Sequence, residues 1–134
     1  MIDFLFICQW NIARSQIAEW LLKNIYSDKN ISSCWIDDVW YKYNFKCYPP
    51  AIELMKKRGI DITQQKPKVI TKEMVLESKK IIVFCEENEC NNKFPEYLKE
   101  HKNTLYIKIW DPNMKGDSFL KNTINEIEKI VKLL

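Results

Sequence analysis

Glycine is nearly missing from this chain. Its 134 residues include only Gly59 and Gly116, so a loop that cradles an anion near the N-terminus must be built without glycine. Histidine occurs once, as His101, inside the charged run Lys99-Glu100-His101-Lys102. A Cys-His pair is therefore not expected, and His101 reads as solvated. Long apolar runs are missing too. No stretch approaches the roughly 20 residues that a membrane helix needs, and no basic region precedes the short N-terminal apolar run. The five cysteines contain no Cys-x-x-Cys, so no metal site is expected. The net charge is only +3 and the lysines are dispersed, which argues against nucleic-acid binding. No repeat, linker or low-complexity segment appears. An odd number of cysteines in a chain with a reactive thiol fits a reducing cytoplasm.

What is present is concentrated near the N-terminus. The apolar run Phe4-Leu5-Phe6-Ile7 is followed by Cys8-Gln9-Trp10-Asn11-Ile12-Ala13-Arg14-Ser15. A helical pattern then follows in Ile17, Ala18, Leu21, Leu22 and Ile25. The first turn of a helix has N–H groups without intrahelical partners, and the helix dipole makes that end positive. A loop curling into it can hold an oxyanion, and a cysteine in that field loses its proton readily. Arg14 can close the ring with a planar two-pronged donor. Asn11 and Ser15 can brace the loop, and Ser15 can hydrogen-bond the thiolate. The alternative is that Cys8 is a buried apolar residue at a strand end.

The rest of the chain alternates strands and helices. Strands are expected near Ile2–Ile7, within Ile31–Tyr43, at Lys80–Phe84 and at Thr104–Trp110. Helices are expected at Arg14–Tyr26, from Pro49-Pro50 through Arg58 with Gly59 as C-cap, and from a Thr71 cap through Ser78. Two more are expected at Glu87–Glu100, interrupted near Pro95, and at Ser118–Leu134. This pattern implies one α/β domain spanning 1–134, a three-layer sandwich on a four-stranded parallel sheet with the anion loop after the first strand. Ligands bind at the carboxyl ends of such strands, and Cys8 and Asp111 both follow strands at that edge.

The run Phe-Leu-Phe-Ile-Cys8-x-x-Asn11-x-x-Arg14-Ser15-Gln16-Ile17-Ala18-Glu19 resembles the signature of the low-molecular-weight protein tyrosine phosphatases. It is also similar to that of their relatives, the thioredoxin-coupled arsenate reductases. Weaker similarity continues through Gly59-Ile60-Asp61-Ile62, Ile70-Thr71-Lys72-Glu73 and Ile81–Cys85, and closes at Trp110-Asp111-Pro112. The resemblance implies that Cys8 is the nucleophile, that Gln9 to Ser15 bind phosphate with Arg14, and that Asp111 is the general acid. Taken alone, Asp111-Pro112 reads as a turn after a strand.

The chain departs from the family pattern in places. Asn113 stands where many tyrosine phosphatases have Tyr, and Trp10 stands where they usually have Gly. The family's short Ser-Ala-Gly-like segment after the second strand is read here as replaced by Asp38-Val39-Trp40-Tyr41. Trp10, Trp35, Trp40, Tyr41 and Trp110 are candidates for a wall against an aryl ring, core packing being the other reading of each. Ile12 resembles the apolar residue of tyrosine-directed members, whereas phosphoarginine-directed relatives carry Thr. Cys85 and Cys90 are candidates for the two further thiols of a reductase, at a narrower spacing than in those relatives; the other reading puts Cys85 in the core.

The expected activity is phosphomonoester hydrolysis through a phosphocysteine, on a phosphotyrosine protein or a small aryl phosphate, with no metal or organic cofactor. One alternative is a thioredoxin-coupled arsenate reductase using Cys8 with Cys85 and Cys90. Another is an inactive domain that binds phosphate or a protein partner.

Overall fold

Apart from Asp3, the segment from Ile2 to Cys8 is apolar at every position, so it must be covered on both faces. The computed structural model describes residues 1–8, 14–36, 49–63, 68–85, 94–109 and 116–134. In it this segment is β1 (Ile2–Cys8), an inner strand of a four-stranded sheet. Its neighbours are β2 (Ile31–Trp35) and β3 (Ser78–Val83), and β4 (Thr104–Tyr106) lies outside β3. All pairings are parallel, in the order β2-β1-β3-β4. Parallel strands need long crossovers, which helices supply here. These are α1 (Arg14–Ile25), α2 (Pro49–Lys57), α3 (Lys72–Glu77) and α4 (Glu96–Lys99), and α5 (Asp117–Val131) closes the chain.

The strict alternation of a strand divides the core into two. Phe6, Cys8, Ile82 and Phe84 pack on one face with Ile17, Leu22, Met55, Leu120 and Ile127, which brings α1, α2 and α5 to that side. Leu5, Ile7, Cys34, Ile81 and Val83 face the other way and meet Val75 of α3 and Leu98 of α4. The result is the three-layer sandwich and parallel sheet expected from the sequence.

Local signals set several helix ends. The Thr71 side chain accepts the Met74 N–H at 3.2 Å and starts α3. Gly59 has φ of 80°, the left-handed conformation that ends α2, and its N–H reaches the Lys56 carbonyl. Some bounds differ from expectation. The ladder of β4 stops at Tyr106 after one more bond, from Ile107 N–H to Val83 O, because β3 ends there. The helix expected over Glu87–Glu100 is described only as α4, beginning after Pro95; residues 86–93 lie outside the described residues. His101 is not a freely solvated side chain. Its Nδ1 accepts the Asn103 N–H at 3.3 Å, so Nε2 carries the proton and donates to the Ser78 carbonyl at 2.9 Å. The ring thereby ties the start of β4 to the start of β3.

Chain order and strand order diverge at the centre of the sheet. From β1 the chain moves outward to β2, then returns across to β3 and moves outward again to β4. The carboxyl ends of β1 and β3 therefore flank the point where the winding reverses, where such sheets leave a crevice.

Candidate active site

Cys8 is the last residue of β1, at that reversal point, and its side chain is buried. The chain re-enters at Arg14, the first residue of α1. Ser15 follows, and its Oγ lies 3.0 Å from the Cys8 Sγ. The first turn of α1 contains no acidic residue to balance the helix dipole, and it begins with a guanidinium instead. Isolated helices avoid that arrangement. It is tolerable where an anion is bound.

Arg14 is 8% exposed. One of its terminal nitrogens donates to two carbonyls, Phe84 O at 3.1 Å and Ile109 O at 2.8 Å. These carbonyls lie just beyond β3 and β4. The Phe84 N–H pairs back to Ile7 O at 2.8 Å, so one residue is tied both to Arg14 and to the residue before Cys8. Both partners of Arg14 are neutral, and no carboxylate among the described residues meets it. A buried cation without a counter-charge is costly, and the rest of its fork remains for an anion.

Beneath this group lies a second polar layer that the sequence reading missed. Glu19, 1% exposed, accepts from Ser33 Oγ of β2 at 2.6 Å and from Lys23 Nζ at 2.7 Å. The signal was present: Ser15, Glu19 and Lys23 recur every four residues, one stripe of a helix. A buried carboxylate on that stripe requires a donor from the sheet, and Ser33 supplies it. A buried serine thus comes from within β2, ahead of the Asp38-to-Tyr41 segment, which lies outside the described residues.

The other candidates divide. Trp35 does not line an opening. It is 2% exposed, and residues 68–70 pair along the edge of β2: Trp35 N–H donates to Lys68 O and its carbonyl accepts from Ile70. Cys85 is 8% exposed and packs against the face of the sheet opposite Cys8. It is disulfide-bonded, to a partner outside the described residues. Cys34 is a free thiol, fully buried on that same face. Burial pushes its thiol well up, and neighbouring Cys8 adds to the effect, which makes Cys34 an inert packing residue. Gln9, Trp10, Asn11, Ile12, Ala13, Trp40, Tyr41, Cys90, Trp110 and Asp111 lie outside the described residues.

A buried arginine and a cysteine bonded to a serine hydroxyl lie together at the carboxyl edge of the parallel sheet. A model of the low molecular weight phosphotyrosine protein phosphatase family matches residues 3–134, and the chain belongs to that family. Among its relatives, an arsenate reductase 2 of Staphylococcus haemolyticus is 33% identical over 103 residues, covering 72% of this chain and 71% of that protein. An arsenate reductase of Staphylococcus aureus is 33% identical over 87 residues, 64% of this chain and 62% of that one. Among solved structures, the tyrosine phosphatase Wzb from Escherichia coli K30, in complex with sulphate, superposes with a TM-score of 0.80. It is 22% identical, with 98% of this chain and 95% of that chain covered. The family is enzymatic and includes both phosphatases and arsenate reductases.

Proposed function

We propose that the chain is a metal-independent phosphomonoester hydrolase, acting on phosphotyrosine in proteins or on small aryl phosphates. The observation that carries this is Arg14, a buried cation held by two carbonyls, with no counter-charge among the described residues, beside a cysteine at a helix start. A phosphate dianion supplies the missing charge. Cys8 attacks phosphorus as a thiolate, and the phosphorus–oxygen bond to the leaving group breaks. Asp111 protonates that oxygen, and Ser15 hydrogen-bonds the sulfur. Water, deprotonated by Asp111, then attacks the phosphocysteine and returns Cys8 as a thiolate. Ile109 supports this role for Asp111: its carbonyl is bound to Arg14, only two residues before the acid.

A second reading is favoured by the disulfide at Cys85 and by the arsenate reductase names of the curated relatives. In it arsenate occupies the same site, Cys8 is the attacking thiol, and Cys85 with Cys90 passes the resulting disulfide to thioredoxin. p-Nitrophenyl phosphate and arsenate with a thioredoxin system, assayed on one preparation, separate the readings. Hydrolysis that is lost in Cys8→Ser and slowed about 100-fold or more in Asp111→Asn is expected. Arsenate reduction that requires Cys85 and Cys90, without phosphatase turnover, selects the reductase. Metal-independent phosphatase turnover surviving Cys8→Ser overturns the mechanism.

A further inference from the structure

We propose that Cys85 is a positioning residue whose disulfide sets the oxyanion affinity of the Cys8–Arg14 site. The inference rests on the oxyanion-site reading above. Cys85 directly follows Phe84, and Phe84 is the residue on which the site converges. Its carbonyl holds Arg14 at 3.1 Å, and its N–H holds Ile7, the residue before Cys8, at 2.8 Å. The strand β3 ends at Val83, and beyond it the Phe84 N–H bond to Ile7 O is the last ladder contact among the described residues. Further restraint comes from the Phe84 ring, stacked on Phe6 at 5.8 Å, and from the covalent bond at Cys85. Phe84 and Cys85 point to opposite faces, and the two anchors grip the peptide unit between them from both sides.

That peptide unit carries the carbonyl that receives Arg14. An arginine at an anion site binds well to the extent that its fork is already in place, since ordering it on binding costs affinity. With the disulfide formed, one anchor is covalent and Arg14 is preorganised. A dithiol reductant removes that anchor. Its two thiols transfer two electrons and two protons to the sulfur–sulfur bond; Cys85 and its partner become thiols, and the reductant leaves as a disulfide. Among the described residues, the Phe84 unit then keeps its ring packing, the bond to Ile7 and the bond from Arg14. The redox state of a cysteine that touches no substrate is thereby read out as phosphate affinity.

The test measures inorganic phosphate binding by titration calorimetry on the full chain carrying Cys8→Ser, so that the nucleophile itself cannot be oxidised. The protein is compared in its disulfide form and after dithiol reduction, each state being verified by thiol alkylation and mass. Reduction is expected to raise Kd by about threefold to tenfold, the range given by the net contribution of one ordinary hydrogen bond. The same comparison with Cys85→Ser added is expected to show no redox difference. Equal affinities in the two states of the Cys8→Ser protein overturn the inference and leave the oxyanion reading intact. A redox difference that persists without Cys85 overturns it as well. Absence of phosphate binding in both states overturns both readings. The first comparison leaves Cys85 unchanged, so it decides the matter whatever the stability of the double variant.

Discussion

Ser33 carries more of this site than its size suggests. It is fully buried, and its hydroxyl donates to a carboxylate that is itself almost fully buried. Removing that hydroxyl leaves Glu19 with Lys23 as its remaining side-chain donor among the described residues, and Lys23 reaches in from a partly exposed position. Ser33→Ala is therefore expected to destabilise the fold by about 1–3 kcal/mol, the cost of a buried acceptor that loses its donor. Urea unfolding followed by tryptophan fluorescence checks this. A loss well under 0.5 kcal/mol would mean that Lys23 or water takes over the oxygen. Arg14 obeys the opposite logic: among the described residues its buried charge meets backbone dipoles and no carboxylate.

Among the elements, α5 shows how much of the sandwich rests on one amphipathic face. Leu120, Ile124, Ile127 and Val131 recur at helical spacing and are all buried against the α1–α2 side of the sheet. Ile127 has no exposed surface, so Ile127→Ala removes a packed side chain from the middle of that face. The expected cost is about 2–5 kcal/mol, transfer plus cavity. It would appear as a lower urea midpoint with an unchanged slope; a change of less than 1 kcal/mol would mean that α5 packs loosely. Helix starts and stops were the most legible features of the sequence. Thr71 and Gly59 act through contacts within a few residues and need no distant partner. The end of β4 was read four residues too late, because where a strand stops depends on the strand beside it.

For the molecule as a whole, two carboxylates couple stability to pH. Asp3 accepts the Asn30 N–H and pairs with Lys79, and these hold its carboxyl below the usual range. Asp61 is lowered by the Thr63 hydroxyl and N–H. A carboxyl depressed in the folded state stabilises it above the unfolded value near 3.8, and that contribution is lost as pH falls through the folded value. The urea midpoint is thus expected to hold between pH 7 and about 5 and to fall below about pH 4. The fall should be shallower in Asp3→Asn, and an unchanged slope there would remove Asp3 from the account. The described residues hold no helix long and apolar enough to cross a membrane.

The family and the parallel sheet were legible in the order of residues, as was the spacing of Cys8 and Arg14. Strand period, helix period and a cysteine six positions before an arginine are local patterns, written in consecutive positions. What holds Arg14 in place was not legible. Phe84 and Ile109 stand 70 and 95 residues from Arg14, and they meet it through backbone carbonyls that carry no residue identity. Trp35 reads from the sequence as either a wall residue or a core residue, and the structure buries it beside the edge where residues 68–70 pair. Glu19 meets Ser33 because β2 lies beside α1. Each of these is settled by which chain segment lies alongside, a property of packing in three dimensions that no window of sequence contains.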